Sequence, residues 1–172
     1  AEHQVEDEHP GLRYSDLLAI VHARLAERFG LPADENAARA FGQSVGDWPA
    51  FPDSADALRY LKRHFELIIL SNVDRASFAR SNERLGVEFD RVFTAEENGS
   101  YKPDLRNFEY LLDRLGENGL EKSDLLHVAQ SLFHDHAPAN RFGIASAWID
   151  RRHDKQGGGA TKLPDPMPHF DF

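Results

Sequence analysis

The chain reads as an α/β protein, a Rossmann-like parallel sheet flanked by helices, with a small helical domain in front of it. Three observations predict this. Short apolar runs alternate with amphipathic helical stretches from Ala55 onward, the pattern of strands joined by crossover helices. The residues before Trp48 carry helical periodicity alone. Between the two regions lies a turn-rich segment, Ser44-Val-Gly-Asp-Trp-Pro-Ala-Phe-Pro52, which interrupts any regular element.

The elements follow in order. From Leu12 to Phe29, apolar residues recur at spacings of three and four (Leu17, Leu18, Val21, Leu25, Phe29), and Gly30 is a stop. Asp34 suits the N-cap of a second helix running through Ala37, Ala38 and Phe41. Ala55 to His64 is amphipathic. Leu67-Ile-Ile-Leu70 is a β-rich apolar run and is expected to be a buried parallel strand. A helix over Phe78–Leu85 stops at Gly86, and Arg91-Val-Phe-Thr94 is a short strand. Leu105 to Leu115 is helical and stops at Gly116. Leu125–Ala129 is a second strand expected to be buried, near the first; Ala137–Phe142 is a helix and Ile144–Ile149 a strand. From Arg152 the tail is loop-like, with glycines at 157 to 159 and then Pro164-Asp-Pro-Met-Pro168.

Composition narrows the function. The net charge of −9 argues against broad nucleic-acid binding, which needs a basic face. A small anionic substrate is compatible with it, because a local positive pocket can exist on an acidic protein. No run approaches the roughly 20 apolar residues of a membrane helix. The absence of cysteine excludes disulfides, thiolate metal sites and cysteine nucleophiles. A cytoplasmic location and no membrane partner fit; a homodimer is left open.

In an open α/β sheet, ligands bind beyond the carboxyl ends of the strands, which directs attention to three stretches. Ser71-Asn72 follows the first strand; a hydroxyl and an amide there can hold carboxylate or phosphate oxygens, or simply cap the next helix. Tyr101-Lys102-Pro103-Asp104 precedes a helix, with Pro103 suited to its first turn and Asp104 to its positive end. Lys102 can neutralise an anionic nucleophile and substrate, or be a solvated surface lysine. Val128-Ala-Gln-Ser-Leu-Phe-His-Asp135 follows the next strand, so Gln130, Ser131 and Asp135 can face a site. His134 and His136 flank Asp135, but residues two apart diverge on a helix, which discounts a metal site there. His127 is read as a structural strand residue. Among the aromatics, Trp48 and Phe51 are the better substrate contacts, because their loop lies between the helical part and the sheet.

The ordered set, strand-Ser-Asn, then Tyr-Lys-Pro, then Val-Ala-Gln-Ser-x-x-x-Asp, resembles the haloacid dehalogenase (HAD) superfamily. Trp48-Pro-Ala-Phe-Pro-Asp53 and Phe142-Gly-Ile-Ala-Ser-Ala-Trp-Ile-Asp-Arg151 are similar to its (S)-2-haloacid dehalogenase branch. The resemblance implies a helical cap over residues 1–48 and an α/β core over 49–172. It also implies a central strand carrying a nucleophilic aspartate, in a motif like Asp-x-Tyr-Gly-Thr-Leu. That motif does not occur in the chain, so the core is expected to lack its first strand. By the same resemblance Ser71, Lys102 and Asp135 are catalytic and converge on one cleft beneath the cap. Asn72, Ser131, Gln130, Tyr101 and Trp48 bind substrate. A carboxylate displaces halide, and activated water then cleaves the resulting ester.

Departures set the alternatives. Gln130 stands where superfamily phosphatases carry a magnesium-binding acid, and an amide is a poorer ligand for that hard cation. The expectation is therefore no cofactor and no metal. In the alternative, a phosphatase acting on a small phosphate ester, Asp135 would hold Mg2+. Leu132 and Phe108 stand where such dehalogenases have asparagine and tyrosine, which leaves room for another small acid as substrate. The reading of another class is a binding protein without catalysis.

Overall fold

The computed structural model describes residues 1–155 and 162–172; the three glycines of the tail lie outside them. Packing separates the chain into two units, Ala1–Tyr101 and Lys102–Phe172. The cap boundary expected at Trp48 is a separate matter, since it rests on the resemblance.

The first unit opens with three helices, α1 (Glu2–Glu8), α2 (Tyr14–Arg28) and α3 (Glu35–Gln43). On α2, Leu17, Leu18 and Val21 are buried, the apolar stripe that its spacing predicts. They join Val5, Val45, Ala95 and Tyr101 in one hydrophobic cluster. Asp34 caps α3 as expected, its Oδ1 accepting from the backbone of Asn36 and Ala37 at 2.9 and 3.0 Å. Gly42 lets α3 approach α2: a Cβ there would stand 2.0 Å from the Ser15 carbonyl oxygen. A 3-10 turn, Ser44–Asp47, ends the helical run.

Then come α4 (Ser54–Leu61), β1 (Ile68–Ser71), α5 (Arg75–Leu85), β2 (Arg91–Thr94) and the short α6 (Ala95–Asn98). Strands β1 and β2 are parallel, Ile68 facing Arg91 and Ser71 facing Thr94. Asp74, not Ser71 or Asn72, is the cap of α5: its carboxylate accepts from the backbone and hydroxyl of Ser77 and from the backbone of Ser15. At the other end Gly86 adopts φ 59°, the left-handed turn at which that helix stops.

The second unit holds α7 (Arg106–Gly116), β3 (Leu126–Ala129), a π turn over Leu132–His136, α8 (Ala137–Phe142) and β4 (Ala145–Trp148). Strands β3 and β4 are parallel, Leu126 facing Ala145 and Ala129 facing Trp148. Alternating strands and helices and parallel pairing match expectation. The described strands form two two-stranded sheets, β1-β2 and β3-β4.

Two expectations need correction. Leu126 and Val128 are 50% and 48% exposed, because α7 covers only the opposite face of β3 through Phe108 against His127. Pro103 stands in a turn before α7 rather than in its first turn, and Asp104 Oδ1 accepts from the Arg106 backbone at 2.9 Å. The tail, without helix or strand of its own over the described residues, closes the outer edge of β4: Trp148 donates to the Phe172 carbonyl and Asp171 to that of Ser146, both at 2.8 Å. No described helix is long and apolar enough to cross a membrane.

Candidate active site

The second unit gathers charge where a parallel sheet presents its carboxyl ends. β3 stops at Ala129, and Ser131 turns the chain into the π turn, its hydroxyl accepting from the His134 backbone at 3.0 Å. Two amides close back on the Ser131 carbonyl, those of Asp135 at 3.1 Å and His136 at 3.3 Å. This widened turn, a form frequent at functional sites, brings Asp135 inward. There Lys102 Nζ donates to Asp135 Oδ1 at 2.6 Å, with each side chain only 10% exposed. His127 Nε2 lies 3.1 Å from the same oxygen.

Burial alone would raise the Asp135 carboxyl, but the Lys102 charge and the His127 hydrogen bond outweigh it and hold the group well below the usual carboxylate range. An ionised carboxylate only accepts hydrogen bonds, so Nε2 of His127 carries hydrogen. The His127 ring stands edge-on to Phe108, with centroids 5.2 Å apart, and to His136 at 6.3 Å.

His136 is fully buried and both its ring nitrogens are engaged, Nε2 with the Ala129 carbonyl at 3.0 Å and Nδ1 with Ser146 Oγ at 3.1 Å. His134 turns to the Ser131 hydroxyl at 3.0 Å instead. The two histidines thus face different partners, as their spacing implies. Phe108 has no exposed surface and stacks on Phe142.

Gln130 offers its carbonyl to Trp148 Nε1 at 3.0 Å. It also lines a cavity of about 300 Å³ with Leu132, Trp148, Arg152, Lys162 and Met167 among its walls.

The other expected site residues stand in the first unit. Ser71 ends β1, and its Oγ accepts from the Val73 backbone at 3.3 Å. Asn72 follows it and is half-buried. Trp48 is 46% exposed and donates from Nε1 to Ser44 Oγ at 3.1 Å. Tyr101 is buried in the hydrophobic cluster with its hydroxyl on the Leu12 carbonyl; burial pushes that phenol up, as do the carboxylates of Glu6 and Asp74. Of the expected residues, the structure brings Lys102 and Asp135 into contact. It adds His127, which sequence reasoning placed correctly on a strand but left without a partner. A histidine on a strand face otherwise lined by apolar residues was the available signal.

Residues 9–131 match the model of a family described as haloacid dehalogenase-like hydrolase. An (S)-2-haloacid dehalogenase of Pseudomonas putida is 28% identical over 143 residues, 81% of this chain and 60% of the relative. The chain thus spans three-fifths of the length of that curated relative. Among solved structures, the L-2-haloacid dehalogenase PA0810 gives a TM-score of 0.77 at 22% identity, covering 95% of this chain and 70% of its own. A HAD phosphatase from Thermococcus onnurineus gives 0.55 at 22% identity, covering 80% and 62%. At such identities the likeness establishes the fold, and one fold carries both chemistries.

Proposed function

The chain belongs to the haloacid dehalogenase-like hydrolases, and from that premise we propose that the protein carrying it releases halide from a small 2-halo acid without a metal. The observation that carries the proposal is the buried Lys102–Asp135 pair. A lysine ammonium in a mostly buried site is the group that can balance an attacking carboxylate and the substrate's own carboxylate. Asp135, held ionised, is suited to orient that lysine and the water of the second step.

In the proposed chemistry an aspartate oxygen attacks the carbon bearing the halogen. The carbon–halogen bond breaks, and halide leaves with the electron pair. Water, oriented by Asp135, then adds to the carbonyl carbon of the ester. The bond from that carbon to the substrate oxygen breaks, one water proton passes to that oxygen to give the 2-hydroxy acid, the other is released to solvent, and the aspartate is regenerated. Ser71 and Asn72 are assigned the carboxylate oxygens of the substrate or nucleophile; Gln130, Ser131, Tyr101 and Trp48 are assigned substrate contacts. The nucleophile's motif is not in the sequence given, so the activity is that of the complete gene product.

Two features favour this over phosphate hydrolysis. Gln130 supplies an amide where a hard cation prefers a carboxylate. Oδ1 of Asp135 is shared by two nitrogen donors, so a magnesium ion there would compete with the Lys102 ammonium. The similarity to an (S)-2-haloacid dehalogenase of Pseudomonas putida supports the same reading.

The test is halide release from 2-chloropropionate by the complete gene product, with and without a chelator. Release that survives chelation is expected. Magnesium-dependent release of phosphate from p-nitrophenyl phosphate, without halide release, would make the protein a phosphatase. Neither activity would favour a binding protein.

A further inference from the structure

Two donors meet one oxygen in the second unit, and only one of them has a role in the chemistry above. Lys102 and His127 reach Oδ1 of Asp135 at 2.6 and 3.1 Å, from a turn and from β3 respectively. We infer that His127 is a positioning residue for Asp135, holding the carboxylate in place when the Lys102 ammonium turns toward charge brought by the substrate. The inference rests on the roles proposed for Lys102 and Asp135.

The two donors differ in stiffness. Lys102 hangs on a flexible four-carbon stem with a rotatable ammonium, so its bond to Asp135 is the one that can be shared or given up. The imidazole of His127 is a short planar arm on a strand paired to β4. Its ring is held edge-on by Phe108 and His136, and His136 is itself fixed by the Ala129 carbonyl and Ser146 Oγ. Its side chain is 13% exposed, so little water competes for Nε2. Without His127, a carboxylate that lost its lysine in this buried place would have no side-chain donor left among the described residues. With His127 it retains one, aimed by packing rather than by charge. A residue that merely filled space against Phe108 would need no nitrogen at that point.

The experiment compares His127→Phe with His127→Gln in the complete gene product. Phenylalanine fills the aromatic niche without the donor, and glutamine restores an N–H. The expected result for His127→Phe is a fall in kcat of about ten- to a hundredfold, the scale of a misplaced catalytic group, with KM little changed. His127→Gln is expected to recover most of that loss. An unchanged kcat in His127→Phe, or equal losses in both variants, would overturn the inference.

A second measurement is independent of turnover and of whether His127→Phe folds. Imidazole nitrogen–proton NMR should find His127 hydrogen-bonded through Nε2–H, with a proton signal that Asp135→Asn shifts. A His127 protonated on Nδ1 alone, or a signal indifferent to Asp135→Asn, would also overturn it. The proposed function fails separately: halide release undiminished in both Lys102→Met and Asp135→Asn would remove that reading, while the imidazole signal would still judge His127.

Discussion

Each unit carries a lysine–aspartate pair beside a parallel strand ladder, and the two pairs sit at opposite ends of their strands. In the first unit Lys62 meets Asp90 at 2.5 Å where β1 and β2 begin; Asp90 also accepts from the Leu67 backbone at 2.7 Å. In the second, Lys102 meets Asp135 at 2.6 Å beyond the carboxyl end of β3. The chemistry and the distances are nearly the same. Exposure is not: the Lys62 and Asp90 side chains are 30% and 32% exposed, against 10% for each partner of the buried pair. The hydrogen bond from Lys62 keeps the Asp90 carboxyl below its ordinary range. The same outcome at Asp135 has to overcome a burial cost, and it takes two donors to do so. Water screens one pair, which stitches strand starts together. The other is kept from water at the end of the sheet where ligands bind.

The largest expected effect breaks the buried pair. Lys102→Met leaves Asp135 without its countercharge, with His127 as the remaining donor in a mostly dry site, and should cost about 3–5 kcal/mol in urea unfolding, together with the loss of halide release. Replacing both partners by apolar residues should destabilise less than the single change, because no charge is then left buried. If the single substitution proves neutral, the two pairs are equivalent after all.

A titration sharpens the contrast. The Asp135 carboxyl is depressed in the folded protein, so the stability it contributes is fully present above its ordinary pKa of about 3.9 and is lost as pH falls through the lower folded value. Unfolding midpoints should therefore decline below about pH 4. In Lys102→Met the Asp135 part of that decline should shrink, since burial then acts against His127 alone and the folded value draws toward the unfolded one. A pH profile identical to that of the unmodified protein would show that Lys102 does not set the charge of Asp135.

The smallest effect is expected at the exposed pair. Lys62→Met should leave the unfolding midpoint within measurement scatter, and halide release as it was. A loss comparable to that of Lys102→Met would mean that exposure is not what separates the two.

How much of this was written in the chain depends on the range of the interaction. Local signals were plain: the three-and-four spacing of Leu17, Leu18 and Val21, the cap at Asp34, the stop at Gly86, and the apolar runs that became β1 to β4. Lys102 and Asp135, whose side chains meet, were singled out by their place after strands and before helices. Features that depend on distant segments were not legible. Leu126 and Val128 read as buried because their run is apolar, yet burial requires a partner on their face, and periodicity does not supply one. Ser71 and Asn72 looked able to cap α5, but Asp74 is better placed and gathers Ser77 and Ser15. The partner of His127 depends on the π turn, which no short motif announces. Sequence reasoning also passed over α1 and α6, whose polar residues, Glu-rich in both, carry little apolar periodicity.

The open side of β3 also bears on how this chain by itself behaves in company. The tail closes the outer edge of β4. Among the described residues, β3 pairs with β4 alone and turns Leu126 and Val128, each about half exposed, to its uncovered face. A strand with unpaired amides and carbonyls along one side and apolar side chains on one face is a template for another strand. At high concentration such a surface favours sticking over staying apart, and the net charge of −9 is the main force holding copies at a distance. Salt, by screening that repulsion, would bring copies of this chain together through the very strand that leads to Lys102 and Asp135.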